Sequence, residues 1–240
     1  NQQTWTSTEL SVFDFLMTGS IGDIDIASGL QFRDESFDVA RGASSIAQFD
    51  AAGNITQPAD LLFLGGGLES TASRNATALF IEGSMNPSDR LEVKGALRYE
   101  DLESDSSVDP KIAFRYQASD ELALRASFST SFREASLAQL TSTNISLQGI
   151  QDYNADGSAK GGTAFIRIAQ ANNPNLAPEE SENMNIGAMW NPTDKLSMKL
   201  DYWAIDYTNV ITIESAQGKV AATPFDSDVK RTAGGTLTGV

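Results

Sequence analysis

Chemistry in this chain must come from carboxylates, amines, guanidinium groups and hydroxyls, because its 240 residues include neither histidine nor cysteine. Without them there can be no Ser-His-Asp triad, no thiolate metal site and no disulfide. Two carboxylates would be enough for a glycosidase. The acidic pairs Glu179-Glu180 and Glu100-Asp101 are typical of loops and strand ends, however, and nothing in the sequence selects a catalytic pair. We therefore expect that the protein is not an enzyme.

One stretch could bind a metal ion. The run Asp152-Tyr153-Asn154-Ala155-Asp156-Gly157 matches the first half of a calcium-binding loop. The full loop needs a bidentate glutamate at its twelfth position, where this sequence has Thr163. A tight turn in an exposed loop would use the same residue types, so we favour the turn, and calcium stays the open alternative. We expect no metal site and no cofactor, since Gly65-Gly66-Gly67 also lacks the spacing of a nucleotide-binding loop.

The charge of the chain limits its partners. It has 17 basic and 32 acidic residues, a formal net charge of −15 and a pI near 4.3. A nucleic-acid-binding protein needs a basic face that displaces the counterions of the phosphate backbone. We therefore expect no nucleic-acid partner.

The remaining charged residues of interest lie on strands in which polar and apolar residues alternate. In 90–101, Leu91, Val93 and Leu97 alternate with charged residues that include Arg98. The same alternation places Arg125, Lys199 and Asp201 on polar strand faces. These four residues are our candidate ligand-binding residues, on a wall that would guide a polar or anionic solute. The alternative is that the polar interior of a barrel holds such charges in cross-strand pairs without any ligand.

This alternation predicts an all-β protein of about eight long strands. We expect strands at 7–18, 22–37, 76–86, 90–104, 108–117, 121–131, 181–190 and 195–207. Several of them reach about 10–15 residues, which is longer than the usual strand of soluble sheets and fits a tilted strand that crosses a bilayer. A turn of helix is expected at 136–140, and a short cap-like segment at 178–181.

The connections alternate between short and long. Short turns with Gly, or with Asn or Asp beside Pro or Ser, are expected at 19–22, 86–89, 118–120 and 191–194. The long connections are 38–75 and 132–180, with a medium one near 103–109. Short turns at one end and long loops at the other are typical of an outer-membrane β-barrel, although a soluble β-sandwich could show the same pattern by chance. We expect the two long loops to lie at one end, to pack partly on each other and to form an external cap, with Leu61-Leu62-Phe63-Leu64 among their apolar residues.

Two longer motifs resemble those of TonB-dependent outer-membrane receptors. The first is Asp109-Pro110-Lys111-Ile112-Ala113-Phe114-Arg115-Tyr116, followed by Leu122-Ala123-Leu124-Arg125-Ala126-Ser127-Phe128-Ser129-Thr130-Ser131-Phe132-Arg133-Glu134-Ala135-Ser136-Leu137. The second is Asn173-Pro174-Asn175-Leu176-Ala177-Pro178-Glu179-Glu180-Ser181-Glu182-Asn183. The family usually has proline where this chain has Ala135. The similarity covers most of residues 22–215.

The resemblance implies an antiparallel up-and-down transmembrane β-barrel segment with short periplasmic turns and long external loops. It places the protein in the outer membrane of a Gram-negative bacterium. The implied function is TonB-dependent active uptake of a scarce solute such as a siderophore, cobalamin or saccharide. The implied partners are outer-membrane lipid, a small-molecule ligand and the TonB–ExbB–ExbD complex, which acts through a plug domain.

No plug domain and no TonB box are recognised here, so residues 1–240 are expected to form one partial barrel domain. The alternatives are a passive small outer-membrane barrel and a soluble β-rich binding module. Aromatic residues near the strand ends are expected to form the interfacial girdles of a barrel: Trp5, Tyr99, Trp190, Tyr202, Trp203 and Tyr207.

Overall fold

A computed structural model describes residues 3–51, 53–57, 66–102 and 105–240. Over these residues the chain forms fifteen strands: β1 (Thr4–Ile21), β2 (Ile24–Arg41), β3 (Gln48–Phe49), β4 (Ile55–Gln57), β5 (Gly66–Gly67), β6 (Ser70–Ser88), β7 (Leu91–Asp101), β8 (Ser106–Gln117), β9 (Leu122–Arg133), β10 (Asn144–Tyr153), β11 (Ala159–Gln170), β12 (Glu179–Thr193), β13 (Leu196–Thr208), β14 (Lys230–Arg231) and β15 (Leu237–Gly239). The helices are a 3-10 turn at Ala43–Ser45, α1 (Leu137–Thr141) and α2 (Ala216–Ala222).

Eight long strands form one sheet, which we call the wall, in the order β1-β2-β6-β7-β8-β9-β12-β13. Every neighbouring pair is antiparallel, and each strand follows its neighbour in the chain, as an up-and-down barrel requires. The eight strands expected from the alternation are confirmed. Most are longer than predicted, and the first turn is tighter: Gly22, with a φ of 60°, and Asp23 connect β1 to β2.

The wall has two chemically different faces. Directly paired residues share a face, so the register carries each face from strand to strand. One face, called here the charged face, includes Arg33, Arg98, Arg125 and Lys199. The other, called the apolar face, carries the side chains Phe15, Leu30, Leu79, Leu97, Phe114, Leu124, Ile186 and Leu200. Many of these apolar side chains are more than 40% exposed, and Leu200 reaches 76%.

The wall does not close on itself. Its outer strands β1 and β13 lie at opposite edges of the sheet, and no pairing joins them within the part of the chain that the structure describes. A closed eight-stranded barrel is therefore not formed here. The structure corresponds to a segment of barrel wall.

All long connections leave the same end of the wall, called here the loop end. They follow β2, β9 and β13, whereas two-residue or four-residue turns join the strands at the other end, called the turn end. The expected separation of long loops from tight turns is confirmed. At two of these turns the register shifts, between Met85 and Ser88 and between Trp190 and Thr193. Both shifts enclose an Asn-Pro pair, because proline has no N–H to donate to a ladder.

The sequence predicts long loops at these connections. In the structure, parts of them instead fold into a second sheet. This sheet has the order β14-β15-β11-β10-β5 and, together with α2, forms what we call the cap. Its core contains Ile150, Ile166, Ile168, Ala216, Val220, Val229 and Leu237. Of the apolar residues in the second loop, Ile168 belongs to this core and Tyr153 packs against it, whereas Phe165 is 75% exposed. Residues Leu61 to Leu64 lie outside the described residues.

The two long loops do contact each other, as predicted. Gly66 and Gly67 of β5 pair with Ile145 and Asn144 of β10, and the Leu68 N–H donates to the Thr143 carbonyl at 3.1 Å. The expected helical turn is also present as α1. Ser136 caps it, because its hydroxyl accepts from the Gln139 N–H while the Gln139 side chain accepts from the Ser136 N–H. The segment 178–181, predicted as cap-like, instead begins strand β12.

Candidate functional site: the two faces of the wall

Arg125 and Asp201 are brought together on the charged face although one strand separates them. Arg125 of β9 and Asp201 of β13 both pair directly with Gly187 of β12. The Arg125 guanidinium reaches across β12 and donates to the Asp201 carboxylate at 2.6 and 2.9 Å. Gly187 makes this possible, since a Cβ there would lie 2.1 Å from Asp201 Oδ1 and 2.8 Å from Arg125 Nε.

Arg98 belongs to a second charged group on the same face, nearer the loop end. Its guanidinium donates to the Glu100 carboxylate at 2.8 Å and to the Gln31 amide oxygen at 2.8 Å. Arg33 binds the other oxygen of Glu100. Glu100 is only 2% exposed, so two guanidinium groups balance one buried carboxylate.

A third charged group attaches the segment before α1 to the wall. Arg74 of β6 contacts Glu35 of β2 at 2.6 Å and Glu134 at 3.0 Å. It also donates to the Ala135 carbonyl at 2.6 Å. Burial raises the pKa of the Glu134 carboxyl above its ordinary value, and Arg74 opposes that rise. The segment that leads into α1 therefore lies over the charged face at the loop end.

Lys199 is the predicted site residue that has no ion pair in the described part of the chain. It pairs in register with Met189 on the charged face, and no carboxylate lies within 4.0 Å of its amine in the described ranges. The four predicted residues thus share one face. Only Arg125 and Asp201 contact each other, and Arg98 lies in a separate group.

The apolar face shows where the strands would enter a bilayer. Moving toward the loop end, its first carboxylates are Asp34 on β2, Glu182 on β12 and Asp206 on β13. Directly paired residues form a row from β12 to β2: Asn183, Ser129, Lys111, Ala96, Glu82 and Ala27. One residue nearer the loop end, Glu182 and its partner Asp206 are therefore level with Ser28, which precedes Asp34 by six residues. The boundary therefore rises by six residues over the six strand steps from β13 to β2.

This slope has a physical meaning. With about 3.3 Å per residue and about 4.8 Å between strands, it corresponds to about 35°. Strands of outer-membrane barrels tilt by about 35–45°, so a sloping boundary on the sheet becomes level in the plane of the membrane. The apolar stretches Ile24–Phe32 and Leu196–Ala204 have the same length, and at this tilt they span about 24 Å, close to the apolar band of about 25 Å.

The aromatic residues expected in an interfacial girdle lie on both faces of the wall. Trp5, Tyr99, Trp190 and Tyr202 lie on the apolar face. Trp203 and Tyr207 lie on the charged face instead, because they pair with Asn185 and Ser181. Two aromatic residues in a row after Asp201 must alternate between faces, so only one of each such pair can face lipid.

The possible calcium loop has a structural role in the cap. Asp152 accepts from Arg231 at 2.6 and 2.9 Å, and both side chains are about nine-tenths buried. This hydrogen-bonded guanidinium holds the pKa of the Asp152 carboxyl below its ordinary value. Asn154 to Gly157 form the hairpin turn between β10 and β11, and Gly157 has a φ of 80°. No group of three or more potential metal ligands is found within the described part of the chain.

Three important residues were missed by the sequence analysis. Arg33 and Arg231 find their partners 67 and 79 residues away, a distance over which a single sequence gives no register. Gly187 did have a signal. An isolated glycine inside a strand pattern often marks a close approach of neighbouring groups.

Comparison with known proteins decides what this wall is. The family described as TonB dependent receptor-like, beta-barrel matches residues 1–239. This chain belongs to that family. Its members are transport receptors of the Gram-negative outer membrane and not enzymes. Barrels of this kind have an apolar outer face and a polar interior. Among the three helices that the structure describes, none is long and apolar enough to cross a membrane.

Solved structures of such receptors share the fold at low sequence identity. A variant of the ferric enterobactin receptor PfeA from Pseudomonas aeruginosa is 17% identical with a TM-score of 0.64, over 84% of this chain and 27% of that chain. The siderophore receptor PirA from Acinetobacter baumannii is 16% identical with a TM-score of 0.60, over 85% and 27%. The copper transporter OprC is 13% identical with a TM-score of 0.53, over 83% and 30%. No curated protein sequence matches the chain.

Proposed function

We propose that this chain is part of the wall and the external cap of a receptor that takes up a scarce small solute by TonB-dependent active transport. The receptors to which it is similar are much longer, since the chain spans about 27–30% of the three compared above. The rest of such a receptor would supply the remaining wall and a plug domain, through which the TonB–ExbB–ExbD complex would act.

The observation that carries the proposal is the pairing of a sloping apolar face with a charged face on one sheet. A lipid-facing surface alone would fit any membrane barrel. The charged face adds ion pairs that reach from the loop end to the turn end, and the cap is connected to the wall at the loop end, where a solute would arrive. A passive eight-stranded barrel gains no support, because β1 and β13 do not pair in the structure described.

The solute class is open among siderophores, cobalamin and saccharides. The compared receptors are named for ferric enterobactin, a siderophore and copper, which are all related to scarce metals. These names favour a metal-carrying solute for this chain as well.

The test is uptake by cells that depend on the intact protein for growth on each candidate solute. Uptake should require TonB and should stop when an uncoupler collapses the proton gradient. A deletion of the cap hairpin 144–170 should reduce uptake at low solute concentration more than at high concentration. Uptake that continues without TonB would refute active transport and would leave a passive pore.

A further inference from the structure

We propose that Arg115 is an oxyanion-binding residue of the lumen, which contacts a carboxylate or phosphate group of the solute as it passes the turn end of the wall. This inference rests on the proposed function, since it assumes that a solute crosses the lumen. It names the chemical group that one side chain of the charged face would recognise.

Arg115 lies in a row of directly paired residues in which it has one carboxylate neighbour and one arginine neighbour. The register pairs Glu92 with Arg115 and Arg115 with Arg125, on adjacent strands β7, β8 and β9. Two guanidinium groups directly opposite each other repel unless each has a partner. Arg125 meets this need by leaning over Gly187 to Asp201, in the direction away from Arg115.

Arg115 has no such partner. Its Nη2 donates to the Gln117 amide oxygen at 3.0 Å, and the neighbouring Glu92 instead contacts Lys94 at 3.0 Å. No carboxylate lies within 4.0 Å of Arg115 in the residues described, and its side chain is exposed. A guanidinium has five N–H donors in a planar fork, so most of the donors of Arg115 are available to a ligand.

Among the described arginines of this face only Arg115 and Arg41 lack an ion pair, and Arg41 instead donates to Leu68, Thr4 and Asn144. The face has five arginines that contact carboxylates: Arg33, Arg74, Arg98, Arg125 and Arg133. The whole chain has almost twice as many acidic as basic residues, so partners are plentiful. A free guanidinium that Gln117 orients is therefore suited to a group that arrives from outside.

The sequence motif on β8 presents two cations to the lumen. In Pro110-Lys111-Ile112-Ala113-Phe114-Arg115-Tyr116 the alternation puts Pro110 and Tyr116 on the apolar face and Lys111 and Arg115 on the charged face. Lys111 is a flexible point charge, whereas the fork of Arg115 matches the geometry of a carboxylate or phosphate. The two should therefore attract anions alike but differ in binding oxyanions.

The position between these two cations allows a matched test. Ala113 lies on the charged face two residues from each of them. Because the 240 residues contain no cysteine, Ala113→Cys in the intact, detergent-purified protein can be labelled with methanethiosulfonates that carry either a sulfonate or a trimethylammonium group. The rate ratio of the anionic to the cationic reagent reports the local potential. The slowing by inorganic phosphate, against chloride at equal ionic strength, reports oxyanion binding.

We expect Arg115→Gln and Lys111→Gln each to lower the rate ratio by about three- to sevenfold, as one charge at about 7 Å in water predicts with and without screening by salt. Phosphate should slow labelling in the Ala113→Cys protein and in its Lys111→Gln variant, but not in its Arg115→Gln variant. Arg115→Lys should keep the rate ratio and lose most of the phosphate effect.

Two results would overturn the proposal. One is a phosphate effect that survives Arg115→Gln. The other is labelling indifferent to phosphate from the start, as expected if an acidic side chain of another segment of the protein already occupies Arg115. The measurement needs neither TonB nor a proton gradient, so its outcome is independent of the uptake assay.

Discussion

The wall and the cap bury their apolar side chains in different ways. In the cap, Val220 is fully buried and Ile150 is 2% exposed, because one helix and one sheet enclose them. In the wall, Phe15 and Leu200 are 57% and 76% exposed, because no other described element packs on the apolar face of this single sheet. The cap thus encloses its apolar side chains in a core of its own, whereas the wall leaves most of its apolar side chains exposed. Substitutions in the wall and in the cap should therefore destabilise the two regions separately.

The largest effect is expected from a charge at the middle of the apolar face. Leu200 lies midway along the apolar stretch Leu196–Ala204. Leu200→Arg should make folding into lipid vesicles less favourable by about 2–4 kcal/mol, the cost of a cation at the bilayer midplane. The measurement is urea unfolding from vesicles. Ser197→Arg, on the charged face of the same strand, is the control and should cost far less. Equal losses would mean that the two faces are assigned wrongly.

Breaking the buried ion pair of the cap should come next. Arg231→Met leaves the Asp152 carboxylate buried without its partner. We expect a loss of about 3 kcal/mol, at the lower end of the range for buried pairs because the cap is only one sheet and one helix thick. Hydrogen exchange of β10 and β11 amides should speed up, while wall amides stay protected. Lys219→Met removes an amine from the same cap whose partners Glu214 and Asp228 stay exposed, at 69% and 66%, and it should change exchange much less. Uniformly faster exchange would show that cap and wall unfold as one unit.

A smaller effect is expected from filling the space that Arg125 uses. Gly187→Ala places a methyl group where the Arg125–Asp201 pair crosses β12. Since this pair is partly exposed, its loss should cost about 1 kcal/mol or less. The control is Gly95→Ala in β7, where a Cβ would meet nothing within 4 Å. Unfolding from vesicles should distinguish the two variants, and an unchanged Gly187→Ala protein would mean that the crossing is not important for stability.

The smallest effect should come from pH. Arg231 holds the pKa of Asp152 below its unfolded value of about 3.9. The stability from this pair is therefore complete above about pH 4 and is lost as pH falls through the lower, folded-state pKa. Cap protection in hydrogen exchange, corrected for the intrinsic rate, should be flat from pH 7 to pH 5 and should fall below pH 4. The Arg231→Met variant should have little of this dependence, and an equal fall in both proteins would assign it to other carboxylates.

The wall could be predicted from the sequence, whereas the cap could not, and the reason is physical. Each wall strand carries its own period of two, so Leu122, Leu124 and Phe128 reveal a strand without knowledge of its neighbours. The cap strands β10 and β11 contain glycine and polar residues among their isoleucines, and their core partners Val220 and Leu237 lie far away in the chain. Long polar segments with scattered apolar residues are expected to be loops unless that distant partner is known.

The candidate site was predictable only at the level of faces. Alternation placed Arg98, Arg125, Lys199 and Asp201 on the charged face correctly. Which of them would meet depends on register, and register depends on turns and bulges such as that between Trp190 and Thr193. In the sequence Arg115 stands out only as part of a motif. That it has no carboxylate partner is known only from the structure, in which Glu92 contacts Lys94 and Asp201 contacts Arg125.

The strand order of the cap determines when it can fold. Its order β14-β15-β11-β10-β5 takes strands from the connection before β6, from the connection between β9 and β12, and from the chain after β13. Bringing such distant segments together costs loop-closure entropy, which falls sharply once the wall hairpins have formed. The cap should therefore assemble last, after the wall has entered lipid. Protease cleavage at 154–158 should then occur only before the cap assembles, so the time at which cleavage stops would report when the wall has inserted into the membrane.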